Sequence, residues 1–78
     1  MSKSLTEFPK GSKVKVVDIV AGKGLRDRLL QMGLTPGTVV EVVENSSGPI
    51  ILSVRGVTIA LGRGMASKVL VEELQTHR

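Results

Sequence analysis

GLRDRLLQMGLTPG, residues 24–37, is the stretch whose reading decides the fold. Leu25, Leu29 and Met32 recur at i, i+4 and i+7, which places them on one face of a short helix. Gly24 can open that helix and Gly33 can stop it in a left-handed conformation. Thr35-Pro36-Gly37-Thr38 then has the chemistry of a type II turn. Pro36 presets φ at the second position and Gly37 supplies the positive φ that the third requires. The sequence on both sides is strand-like, so one short helix is inserted between the first two strands of a β chain.

Working outward, residues 13–20 (KVKVVDIV) form the first strand. Val14 and Val16 alternate with Lys13 and Lys15, but Val17 breaks the alternation before Ile19. A phase slip of this kind signals a bulge or strong bend, the device by which small barrels turn corners. Residues 38–44 (TVVEVVE) form the second strand and 45–49 (NSSGP) a polar turn. Residues 50–55 and 57–61 form a hairpin around Arg55-Gly56. With a two-residue loop, Val54 faces Val57, Leu52 faces Ile59 and Ile50 faces Leu61. All three pairs would then lie on the core side, although arginine is not a favoured first residue of a type I′ turn. Residues 62–67 (GRGMAS) make a second irregular corner with room for one 3₁₀ turn, and 68–74 (KVLVEEL) close the chain's last strand. The spacing predicts a mainly β fold: a small closed barrel of about five strands with the helix between strands 1 and 2.

The ends are less determined. Ser4-Leu5-Thr6-Glu7 has the spacing of a capping box, so residues 1–11 offer either one helical turn that docks Leu5 and Phe8 or a frayed tail. Residues 1–78 are expected to be a single domain with 1–4 and 75–78 as loose tails.

Composition excludes several function classes. The 78 residues hold no cysteine and a single histidine, His77, beside the C-terminus. No disulfide framework or thiolate metal site can form. Asp18, Asp27, Glu41, Glu44, Glu72 and Glu73 are scattered, and no nucleophile sits beside a base, so neither catalytic groups nor a cofactor site are expected. No segment resembles a signal peptide or reaches the ~18 apolar residues of a membrane helix, which predicts a soluble, cytoplasmic protein. The net charge of +4 is ordinary for a solvated surface. The one aromatic residue is Phe8, so the aromatic platforms that stack bases or grip proline-rich peptides are missing.

Two motif matches fail on inspection. Gly22-Lys23-Gly24 resembles the start of a dinucleotide fingerprint, but Asp27 occupies the third glycine position and the later strands join by hairpins. Gly62 to Lys68 resembles a phosphate loop, but Ser67 precedes the lysine where glycine is needed and a strand comes next. One helical residue lies outside the pattern. Leu30 sits off the inward stripe, near Arg26. It either tucks under the Gly22–Gly24 loop or belongs to an exposed apolar patch ringed by Arg26 and Arg28. An apolar centre edged by arginine is how partner surfaces are built, and Met65 from the second corner is a candidate neighbour.

Arg28-Leu29, Met32-Gly33-Leu34, Pro36-Gly37, the Gly48-Pro49 corner, Ile59-Ala60-Leu61 and Ala66 match the order and spacing of the ferrous-iron transport protein A (FeoA) family, which the chain resembles. The resemblance spans residues 5–74, and its R-L-x-x-M-G-L-x-P-G core is the specific part. Gly62-Arg63-Gly64 departs from it, because relatives often carry consecutive basic or polar residues there. The resemblance implies an SH3-like β-barrel with a small helical insertion. It also implies a cytoplasmic accessory role in bacterial ferrous-iron uptake, as a protein-interaction module on the cytoplasmic part of the membrane transporter FeoB. Arg26, Arg28, Leu30 and Met65 are then the candidate partner-binding residues. Neither a cofactor nor tight metal binding by the isolated domain is expected. Two alternatives stand beside this reading. One is a regulator of the transporter's GTP turnover, for which Arg26, Arg28 or Arg63 would be the arginine-finger candidates. The other is a basic SH3-like module that binds nucleic acid.

Overall fold

The computed structural model describes residues 2–74. Its elements are β1 (Lys3–Ser4), a 3₁₀ turn (Leu5–Glu7), β2 (Lys13–Ile19), α1 (Lys23–Gln31), β3 (Val39–Glu44), β4 (Ile50–Val54), β5 (Val57–Leu61), α2 (Arg63–Ala66) and β6 (Val69–Glu73). The strands form one antiparallel sheet in the order β1-β6-β2-β3-β4-β5. The sheet curls around one apolar cluster as an SH3-like barrel. Leu5, Leu29, Leu34, Ile50, Leu52 and Leu61 supply the largest side chains of that cluster.

Two bulges produce the curl. The β2–β6 register slips between Val16 and Asp18, at the phase break read in the sequence. A second slip lies between Val42 and Glu44 in the β3–β4 pair. Each ejects one valine, Val17 and Val43, onto the outside, and each bends its strand as an unpaired residue does. Val14, Val16, Val40 and Val42 remain fully inside.

The insertion is built as its sequence dictates. Gly33 takes φ +97. Its N–H donates to the Leu30 carbonyl at 3.0 Å, and the Leu34 N–H donates to the Leu29 carbonyl at 3.1 Å. These are the two bonds of a Schellman stop, accompanied by burial of both Leu29 and Leu34. Gly37 takes φ +95, and the Thr38 N–H reaches the Thr35 carbonyl at 3.0 Å, which closes the type II turn. The turn is fastened to β2: Gly37 N–H donates to Val16 O at 2.7 Å, and Val16 N–H donates to Thr38 O at 2.8 Å.

The β4–β5 hairpin has the expected register, with Val54 opposite Val57, Leu52 opposite Ile59 and Ile50 opposite Leu61. Arg55 and Gly56 form its loop at φ 54 and φ 83, the two positive values a type I′ turn demands.

Four expectations are corrected. The sheet has six strands rather than five, because Lys3 and Ser4 pair with Val71 and Leu70 instead of forming a tail. The hydrogen-bonded ladder does not close, since β1 and β5 are its two edges. As a result Val57 stays 60% exposed and Ile59 only half-buried, because among the described residues no strand lies beyond β5 to cover the inner face. Finally, the 62–67 corner holds a four-residue α-helical turn. Near the N-terminus the helical reading holds: Ser4 accepts from the Thr6 N–H at 3.1 Å, and Leu5 and Phe8 are buried. Residues 75–78 lie outside the described residues.

These positions separate two substitutions in one hairpin. Leu52→Ala removes a fully buried side chain and is expected to lower unfolding free energy by ~2–5 kcal/mol. Val57→Ala, at the uncovered edge, should change it by less than about 1 kcal/mol. Urea denaturation monitored by circular dichroism reads both.

Candidate partner surface

Helix α1 carries three of the four candidate residues, and its own sequence makes it a weak helix. It has nine residues, Gly22 caps it without a side-chain bond, and its first turn holds no acidic residue. A helix this short is marginal by itself. Leu29, fully buried, anchors it, with Leu25, Leu30 and Met32 packed against the core from partly covered positions.

Arg26 is committed to the fold. Its Nη1 donates to the Ile19 carbonyl at 2.9 Å and lies 3.5 Å from Asp18 Oδ1. Asp18 Oδ1 also accepts from the Ile19 N–H at 2.8 Å. The guanidinium therefore ties the entry of α1 to the end of β2, just past the bulge. It also offsets a cation in the first half of the helix, where the macrodipole disfavours positive charge. Asp27, which follows Arg26 in sequence, pairs with Lys23 at 3.0 Å. Lys23 is exposed and Asp27 half-exposed, so this i,i+4 pair contributes little.

Arg28 differs. It is exposed, and among the described residues it has neither a side-chain hydrogen bond nor an ion pair. With 3.6 residues per turn, Arg28 and Leu30 stand about 160° apart, on opposite flanks of the exposed ridge, whereas Leu30 lies about 40° from Arg26. The patch expected from sequence is thus not one cluster on α1. It is a ridge with Arg28 on one side and Arg26 with Leu30 on the other. Leu30 is half-buried and packed on the core, so it is neither fully tucked away nor fully displayed.

Met65 reaches the same end of the sheet through α2. Val20 N–H donates to Lys68 O at 2.8 Å, and Lys68 N–H donates to Met65 O at 3.0 Å. These bonds set the exit of α2 beside the loop that enters α1. Met65 is itself partly buried against the core.

Arg63, an arginine-finger candidate on sequence, is occupied. Its Nη2 donates to Asn45 Oδ1 and, at 2.9 Å, to the Ser46 carbonyl. Asn45 in turn donates to the carbonyls of Thr6 at 3.2 Å and Phe8 at 2.7 Å. In the sequence Asn45 reads as an ordinary turn residue, yet it joins the N-terminal turn, the β3–β4 turn and α2. Its amide donates two hydrogen bonds and accepts a third, a set that a serine hydroxyl, with one proton to donate, could not match. Among the described residues no three His, Cys, Asp or Glu side chains converge, and no helix is long and apolar enough to cross a membrane.

Comparison with known proteins agrees with this architecture. A family profile described as "FeoA domain" matches residues 3–73. The chain is 42% identical over 66 residues to a protein of Methanocaldococcus jannaschii named "Putative Fe(2+) transport protein A", covering 85% of this chain and 80% of that one. Among solved structures, an "Iron Uptake Regulatory Protein (FeoA)" shares 47% identity at a TM-score of 0.88, covering 95% of this chain and 99% of the other. A FeoA-like protein from Clostridium acetobutylicum shares 33% identity at a TM-score of 0.86, covering 99% and 92%.

The packing ranks three substitutions. Leu29→Ala is expected to lower stability by ~2–5 kcal/mol and Leu30→Ala by roughly 1 kcal/mol, in proportion to the area each buries. Asn45→Ala, which strands two carbonyls and Arg63, should lower it by about 1–3 kcal/mol. Thermal unfolding of the three variants in parallel checks the ranking.

Proposed function

This chain belongs to the FeoA family, and on that premise we propose that it is an accessory protein of ferrous-iron uptake that acts by binding the cytoplasmic part of the FeoB transporter. The observation that carries the reading is the match of the FeoA domain over residues 3–73. The chemistry of the chain supports it. A domain without cysteine and without convergent ligands among the described residues is poorly equipped to carry iron itself. A small rigid barrel with a displayed helix is well equipped to bind a partner.

The contact surface we propose is the exposed ridge of α1. Arg28 supplies its charged contact, and the uncovered parts of Leu30 and Met65 supply apolar ones. Among the described residues Arg28 is the cation on α1 without a side-chain partner, since Lys23 pairs with Asp27 and Arg26 with Asp18 and the Ile19 carbonyl. Arg26 serves the surface indirectly, by fixing where α1 enters.

Arg28→Glu puts an acid in the last turn of α1 and should cost at most about 1 kcal/mol of stability, yet weaken binding to the purified cytoplasmic part of the transporter by about tenfold or more. Calorimetry on parent and variant reads this, and equal affinity would move the contact surface off α1. Raising salt from 50 to 200 mM separates this reading from a nucleic-acid one. Phosphate binding would lose affinity by orders of magnitude, whereas a partly apolar protein contact should not. Anaerobic titration of the isolated chain with ferrous ion is expected to find no saturable submicromolar site.

A further inference from the structure

The two edges of the sheet are managed differently. An edge strand offers a row of unpaired N–H and C=O groups, and proteins usually blunt it by shortening it or charging it. β1 is blunted in both ways, having two residues, of which one is Lys3. β5 is not blunted. It runs five residues, Val57-Thr58-Ile59-Ala60-Leu61, with no charge, no proline and no bulge in its pairing with β4.

The backbone of β5 is poised to pair. In a hairpin closed by two residues, the pair flanking the loop exchanges hydrogen bonds, and alternation then makes 57, 59 and 61 the residues bonded to β4. The N–H and C=O groups of Thr58 and Ala60 therefore point away from the sheet, and both residues are exposed. The side chains at this edge are also incomplete in their packing. Val57 and Ile59 lie on the inner face by register, yet Val57 is 60% exposed and Ile59 only half-buried. A strand added beside β5 would satisfy the backbone groups and cover these two side chains.

Charge decides what that strand is. Residues 55–64 hold two arginines and no acidic side chain. The first carboxylate in the cross-strand row through Thr58 is Glu41, two strands away. Arg55 caps the edge at φ 54, a conformation that asparagine or glycine adopts far more readily. A bulky residue held in such backbone points to a use for its side chain. Pairing of β5 with β5 of a second copy would join two edges that each carry Arg55 and no acidic side chain, so neither copy would offer that cation a partner.

We infer that the β5 edge is a strand-addition site for an extended segment of a partner protein, alternating apolar residues with an acidic residue at the end that meets Arg55. Only the identity of that partner rests on the reading above. The edge itself can be tested with a defined probe.

The test uses the full 78-residue chain labelled with ¹⁵N. The probes are a capped peptide of alternating valine and threonine with glutamate at both ends, and its twin with lysine ends. Saturable shifts of the Val57–Leu61 amides are expected, with slowed hydrogen exchange at Thr58 and Ala60. The lysine-ended twin should bind about tenfold more weakly or worse. Ala60→Pro removes an outward N–H at a position where an edge strand tolerates proline, and it should lower affinity by about tenfold. Hydrogen exchange on the parent needs no variant, so a misfolded Ala60→Pro leaves the test standing. Shifts confined to other surfaces, no preference for acidic ends, or a parent that dimerises through β5 in sedimentation would overturn the inference. The transporter's cytoplasmic part is a separate arm. If it binds and leaves Thr58 and Ala60 unprotected, the edge does not hold that partner and the inference fails for it while the proposed function stands. If the peptide binds there and the transporter does not bind at all, the proposed function fails and the edge assignment stands.

Discussion

The two hydrogen bonds at Val16 hold the fold in its shape. Val16 N–H meets the Thr38 carbonyl, and Val16 O meets the Gly37 N–H. One residue later β2 bulges at Val17 and leaves β3, while continuing with β6 as far as Ile19. The strand thus has one partner over its whole length and another only at its start. Past that point α1 is tied back to the end of β2 by Arg26 on the Ile19 carbonyl. Without the tie at Val16 the Pro36-Gly37 turn would have no fixed attachment, and Leu29 and Leu34 would lose the geometry that places both in the core. The bulge curves the sheet, and the turn pins the chain on either side of the inserted helix so that the curve is kept.

The helix illustrates how little of its stability is its own. It lacks a side-chain cap and a favourable charge at its start. Its order comes from outside: Leu29 in the core, Arg26 on the Ile19 carbonyl, and the Schellman bonds at Gly33. A side-chain carbon at Gly33 would approach Val54 Cγ1 to 3.3 Å in addition to the strain of positive φ, so the stop is fixed by both conformation and space. Such an element is held at defined points and is free elsewhere. Arg28 lies on the free part, where its exposed guanidinium keeps its water.

What is legible in the sequence is local. Gly33, Pro36-Gly37 and Arg55-Gly56 carry their φ requirements in their side chains, and alternation sets the hairpin register. The Val16-Val17 phase break gives the first bulge. Val42-Val43 carries the same signal for the second, but the run VVEVV also fits an unbroken strand of valines, so the signal does not stand out. What is not legible depends on distant partners. Lys3-Ser4 becomes a strand because Leu70 and Val71 lie opposite. Arg26 is tied to the fold because Ile19, seven residues earlier, presents its carbonyl. Asn45 becomes a hub because the N-terminal turn and α2 converge on it. Of the candidate surface, sequence names the residues of α1 and their helical spacing, but not that Arg26 is held on the Ile19 carbonyl while Arg28 stays exposed.

The sheet order has a last consequence. β2 lies inside the sheet between β6 and β3, while β5 ends it, paired with β4 on one side and, among the described residues, with no strand on the other. A barrel that closed its ladder would hide Val57 and Ile59 and leave no donor or acceptor outward. This one stops a strand short, and the two side chains it leaves uncovered lie on the face that elsewhere forms the core. An exposed valine on an outer face, such as Val39 or Val43, is ordinary. An exposed valine on the inner face means that the core continues past the end of the sheet and lacks its covering strand. The hairpin that carries this edge is also the one whose loop holds an arginine in left-handed backbone. Incomplete burial, unpaired backbone and a strained cation therefore meet on one ten-residue segment, and an acidic extended strand would answer all three at once.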